Sequence, residues 1–253
     1  LGSIVPLSIN HLLALDWKTW VCRNNPADAS PVSIFAFSDG VTTQNKTLWD
    51  GLPVVWQHPT TATTLSIVTT ATTADTGGKI LINGLDSNWN AITESITLNG
   101  VTPVATTNSF IRVNGLSMTA PASGGTTNVG TITAKANSTT FAQINPTIGR
   151  TQAGIYSVPN GYTLYVYSVD CYSGDAGSGT NYVTFNVAVT PNASPTPVTF
   201  DLLQTTWLGN FSVQRIVPQI QYQKTDIEWQ FKVNSGTQSV SLIVQGMLLK
   251  NAD

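Results

Sequence analysis

A chain of 253 residues with 41 % hydrophobic side chains has enough apolar material for one large or two modest cored domains. Asp, Glu, Lys and Arg supply only 9 % of it, against roughly 25 % in an ordinary soluble domain. The net charge is −2 and the eleven Lys and Arg residues form no stripe, which excludes the basic field that grips phosphates. No apolar run reaches the roughly 18–20 residues of a membrane helix, so neither nucleic acid nor a membrane is an expected partner.

The polar balance falls instead on Thr, Ser, Asn, Gln and Gly. Helix surfaces draw on Lys, Glu and Arg, whereas Thr suits a pleated, half-buried surface. The composition therefore predicts an all-β protein. The chain opens LGSIVPLSINHLLAL, without basic residues and interrupted by Pro6, Asn10 and His11, which does not read as a signal peptide. LDWKTWV (15–21) fits a strand with Leu15, Trp17, Thr19 and Val21 on one side. It equally fits a helical stripe of Leu13, Trp17, Trp20 and Val21. Pro26, Pro31 and the Ser-Asp-Gly of 38–40 then punctuate the chain, and residues 1–48 are expected to form an extended arm.

From Thr60 onward short β-type runs alternate with turn chemistry. LSIVTTATT, KILINGL, ITESITLNG, SFIRVNGLSM and VGTITAKA are separated by DTGG, LDSNWN, NG and PASGGTTN. A strand and turn about every ten residues is the pattern of a sandwich or barrel, and residues 49–145 are assigned to a first β-sandwich. In 91–98, Ile92, Ile96 and Leu98 share one face, and a one-residue slip would expose them all. QINPTIGRTQAG (143–154) is turn-rich, so a boundary is placed near 145. A second series follows: IYSV, TLYVYSVDCY, YVTFNVAVT, VTFDLLQT, IEWQFKV and SVSLIVQGMLL. Residues 162–169 are apolar or aromatic on both faces, which suits a central strand. The fold expected is two antiparallel, jelly-roll-like sandwiches, 49–145 and 146–253, preceded by the arm.

NGLDSNWNAITESITLNG (83–100) is the stretch richest in candidate chemistry. Asp86, Asn88 and Asn90 match the first ligand positions of an EF-hand loop, but Ala91 stands where glycine is needed and Thr97 where a bidentate glutamate is needed. As a glycosidase-like pair, Asp86 and Glu94 would have to flank a substrate at a set distance. The competing reading is a hairpin whose Asp and Asn side chains cap local backbone N–H groups, and it is the one adopted. Glu94 falls on the Ile92/Ile96 side, an awkward place for a charge unless that strand lies at an edge or interface. His11 and His58 have no second His or Cys at ligand spacing. No serine sits in a nucleophile elbow, and GGTTNVG (124–130) lacks the Lys and helix of a phosphate cradle. No catalytic residue, metal ligand or cofactor is assigned. Cys22 and Cys171 read as two buried free thiols, with one long-range disulfide as the alternative. The sequons at Asn45, Asn137, Asn192 and Asn210 read as chance in a Ser/Thr-rich chain. Trp49, Trp56, Trp89 and Trp207 fall in or beside turn-like segments, where an exposed ring could contact a partner or stack on a sugar; the ordinary role of tryptophan is core filling.

The order of LWDG (48–51), LSIVTTATTADTGG, ILINGLDSNWNAITESITLNG, TPVATTNSFIRVNGL, ASGGTTNVGTITA and GIYSVPNGYTLYVYS resembles virion structural proteins of tailed phages of the marine and cyanobacterial type. These carry a GLD…E…LNG hairpin followed by a Gly-rich GTI segment and a Y-x-VP-x-G strand. The resemblance covers about residues 48–190 and departs in the turn, which is often charge-rich there and is DSNWN here. It implies a non-enzymatic particle component located in the virion without placing it on the particle; the reading adopted is a head decoration or capsid-associated protein. Its implied partners are major capsid or tail proteins and further copies of itself, a trimer among the options. The alternative is a tail- or baseplate-associated adhesive module that binds host-surface carbohydrate. A low charge content agrees with surfaces meant to be covered by neighbouring subunits.

Overall fold

The computed structural model describes residues 28–52, 54–174 and 182–251. LDWKTWV, His11 and Cys22 lie outside them. The described residues contain no helix and form β1 (Ala29–Val41), β2 (Lys46–Thr47), β3 (Thr63–Thr69), β4 (Lys79–Leu85), β5 (Ala91–Thr97), β6 (Val104–Phe110), β7 (Arg112–Ala120), β8 (Ile132–Ala136) and β9 (Thr139–Ile144). There follow β10 (Ile155–Ser157), β11 (Tyr162–Ser173), β12 (Val183–Pro191), β13 (Phe200–Trp207), β14 (Asn210–Gln221), β15 (Thr225–Val233) and β16 (Gln238–Lys250).

Two sandwiches result, as the composition and spacing predict. In one, a sheet of order β1-β16-β11-β14 faces a sheet of order β10-β15-β12-β13. This antiparallel strand order is that of an eight-stranded jelly roll. In the other, β6-β3-β8-β9 faces β5-β4-β7. The first core holds Val166, Phe185, Trp229, Phe231, Leu242 and Val244, and the second Leu65, Ile67, Ile80, Ile82, Phe110 and Ile132. β11 is central, between β16 and β14, which is why its sequence is apolar on both faces.

The smaller sandwich is inserted within a single strand of the larger one. β2 and β10 lie end to end along β15: Thr47 pairs with Gln230, and Ile155 pairs with Glu228. At the break, Leu48 N–H donates to Trp229 O, Trp229 N–H donates to Gly154 O, and Gly154 N–H donates to Leu48 O. A bridge between Trp49 and Ala153 closes the base of the insertion. The strand stops at 48, resumes at 154, and the intervening residues fold as their own layer pair.

The arm assigned to 1–48 needs correcting over its second half. Residues 29–41 form a thirteen-residue strand paired with β16 from Ala29↔Leu249 to Val41↔Gln238, and residues 46–47 pair with β15. Pro31 and Gly40 read as punctuation in the sequence. β1 is an edge strand bonded on one side, however, and a proline missing one N–H is tolerated there. Residues 1–27 lie outside the described residues.

Candidate functional site

The stretch 83–100 is a hairpin. β4 and β5 pair from Lys79↔Thr97 to Leu85↔Ala91. At its tip Asp86 Oδ1 accepts from the N–H groups of Asn88 and Asn90 at 2.8 and 2.9 Å. The Asn99-Gly100 turn needs its glycine: φ is +58°, and a Cβ there would lie 2.1 Å from Thr72 O. Glu94 sits on edge strand β5 and accepts from the N–H groups of Thr107 and Asn108, at 2.7 and 2.9 Å. The carboxylate thus ties one sheet of the inserted sandwich to β6 of the other, which explains a charge on the apolar side of the strand. Asp86 and Glu94 are committed to separate backbone segments and do not form an acid/base pair.

Three of the four tryptophans expected as contact candidates are interior. Trp49 is 1 % exposed, with its indole N–H on Val54 O. Trp56 is 4 % exposed and donates to Phe141 O at 2.9 Å. Trp207, 9 % exposed, donates to Gly209 O and packs with Phe185, Phe211 and Phe231. Flanking turn residues suggested exposure, but these segments are folded inward because the junction and the jelly roll need large apolar fillers. Trp89 alone is half-buried. Its ring carries the Arg112 guanidinium at 4.5 Å and its carbonyl accepts from Asn160 N–H at 2.8 Å, so the hairpin tip is spent on docking the insertion to the jelly roll.

That docking centres on a buried ion pair. Arg112, the first residue of β7, donates through Nε and Nη2 to both oxygens of Asp226 at 2.7–3.0 Å. Asp226 also accepts from Ser157 Oγ at 2.5 Å and Asn192 Nδ2 at 2.8 Å. Burial acts to raise the Asp226 pKa, but the Arg112 hydrogen bonds and nearby charge hold it below the ordinary carboxylate value. His58 Nε2 stands 3.4 Å from Asp226 without a hydrogen bond. Burial, only partly countered by that carboxylate, lowers its pKa to about 3, so the ring is neutral. Ser157, His58 and Asp226 superficially suggest a hydrolytic triad. Yet Ser157 donates to the carboxylate, not to the imidazole, and it is fully buried. The arrangement clamps two domains. Asn114 of β7 extends the clamp, its amide exchanging two hydrogen bonds with the backbone of Ser157. In this way the inserted sandwich caps the exposed edge of β10.

A second buried acid sits at the base of the insertion. Burial raises the pKa of Asp50 to about 7, against weaker opposing hydrogen bonds from the Gln152 and other backbone groups, and its Oδ1 has no hydrogen-bond partner. Cys171 is a free, fully buried thiol in the jelly-roll core, its pKa raised by burial and by Asp170.

Among the described residues, nothing pairs with the opposite edge of the jelly roll. β13 and β14 are the outer strands of the two sheets, and Val198, Phe200, Leu202, Val217, Ile220 and Tyr222 are all exposed along them. Ile216 is fully exposed and Val217 is 78 % exposed. The two strands run in opposite directions from the turn at 208–209, so 198–202 and 216–222 fall at the same end of the edge. Irregularities in both strands aim side chains outward. Residues 215–218 of β14 stand opposite Tyr167 alone, between the pairs Ser168↔Gln214 and Val166↔Gln219. Leu202 is skipped between Val187↔Leu203 and Ala188↔Asp201. Natural sheet edges are usually blunted with charge or proline. Here Pro218 removes one donor, and the bulges present branched aliphatics. Sequence reasoning missed this surface because β14 itself was not recognised.

No family model matches the chain, and no curated protein matches it. Among solved structures, the crystal structure of infectious bursal disease virus VP2 subviral particle aligns at 8 % identity over 89 % of this chain and 77 % of that one, with a TM-score of 0.15. A likeness that slight carries no weight for fold or function.

Proposed function

We propose that the chain is a non-enzymatic structural subunit of a viral particle, a head decoration or capsid-associated component of a tailed phage. The observation that carries this reading is the apolar edge formed by β13 and β14, exposed among the described residues. Fully burying one aliphatic side chain is worth roughly 1.5–3 kcal/mol, so leaving several together in water is costly unless a neighbour covers them. The low charge of the whole chain, and the resemblance over residues 48–190, point the same way. Jelly rolls serve viral shells and lectins alike, so the fold does not choose between them. The carbohydrate-binding alternative loses its motive, because Trp49, Trp56 and Trp207 are interior and Trp89 is stacked on Arg112.

Sedimentation equilibrium of the purified chain tests the reading. Self-association is expected, with a dissociation constant raised at least a hundredfold by the double substitution Ile216→Asp and Val217→Asp. Antibodies raised against the chain should decorate intact particles. A chain that stays monomeric at all concentrations and labels no particle would overturn the proposal.

A further inference from the structure

Building on the assembly reading, we propose that the occupant of the β13/β14 edge is residues 1–27 of a second copy of this chain. The apolar end of that edge and the point where the chain enters the jelly roll lie at the same level of one sheet. Pro31 pairs with Met247, Met247 with Tyr165, and Tyr165 with Ile220. This row runs from the third residue of β1 directly to the exposed stretch of β14. β1 and β14 are nevertheless opposite edges of that sheet, three strand spacings or about 14 Å apart. The chain preceding Asp28 is thus delivered on one flank, while the surface exposed among the described residues is on the other. A donor on one side and a receptor on the opposite side is the head-to-tail relation from which closed rings and shells are built.

The chemistry of the segment matches the receptor. Residues 1–27 carry only Asp16, Lys18 and Arg23 as charged side chains, and Leu12, Leu13, Leu15, Trp17 and Trp20 supply large apolar ones. The receptor is predominantly apolar at Val198, Phe200, Leu202, Ile216, Val217 and Ile220, with Asp201 and Arg215 the charges set among them. Contact through side chains is favoured over addition of a further strand, because the bulge at 215–218 and Pro218 interrupt the row of β14 backbone donors.

The test uses the full chain with Ile216, fully exposed among the described residues, replaced by the photo-crosslinking residue p-benzoylphenylalanine. Unlabelled and 15N-labelled chains are mixed as dissociated subunits, allowed to assemble and irradiated, and crosslinked peptides are identified by mass. Crosslinks joining position 216 to residues 1–27 in mixed-isotope pairs are expected. Crosslinks into 1–27 only within one isotope label would overturn the exchange between copies. Mixed-isotope crosslinks to the jelly roll or insertion of the neighbour would overturn the arm's role and leave the assembly reading intact. A monomer without intermolecular crosslinks would overturn both.

Discussion

Arg112 and Asp226 are both buried, and their energetics follow from that isolation from water. Removing one partner of a buried pair leaves the other charge uncompensated, at a cost of about 3–5 kcal/mol. Arg112→Met and Asp226→Asn should each lower stability by about that much in denaturant titrations, and the double variant should lose less than the sum of the two. Because the folded pKa of Asp226 is lowered, its contribution is fully present above the unfolded value near 4, and is lost as pH falls through the lower folded value. Asp50 behaves in the opposite sense. With a folded pKa of about 7, its own contribution to stability is most favourable below pH 4, declines as pH rises towards 7, and is flat beyond. Asp50→Asn should remove that decline and gain up to about 4 kcal/mol at pH 8, measured as denaturant midpoints across pH. Sequence reasoning singled out neither Arg112 in SFIRVNGL nor Asp226 in KTDIEWQF, where Lys224 and Glu228 stand beside the Asp. That Arg112 and Asp226 meet was not legible, because 114 positions separate them.

At the level of elements, legibility tracked how local the controlling interaction is. β4 and β5 were readable because their alternation and the Asp86 turn are contained in nineteen residues. β1 was hidden by Pro31, which costs nothing on an edge. β14 was hidden by its own irregularity: the bulge at 215–218 interrupts the period of two, and the same bulge makes the strand's apolar surface. β10 was readable as IYSV, but β2 and its continuation into β10 across the insertion carry no local signal, since both halves acquire their register from β15. Trp89, expected as a surface contact, belongs to the hairpin's inner docking. Trp89→Ala should cost about 1 kcal/mol through loss of the stack on Arg112, seen in thermal unfolding, and should leave self-association unchanged. A drop in association without a drop in stability would return the ring to the outer surface.

For the whole molecule, two separate cores joined by a clamp make a cooperative unit from parts that need not be one. The parent chain should unfold in a single calorimetric transition. With Arg112→Met the inserted sandwich and the jelly roll should separate into two, since the buried coupling between them is cut while both cores stay intact. A single transition retained in the variant would show that the Trp49 and Trp56 junction couples them unaided. The seam between β1 and β16 joins the first described strand of the chain to the last. During synthesis, β1 emerges early and must wait for more than 190 residues before its partner exists, whereas β3 to β9 are complete well before β16 emerges. The ribosome therefore releases the insertion as a finished body while its host is still an open sheet. The larger domain is begun first and closed last, and its earliest strand is the one most in need of protection while the chain is being made.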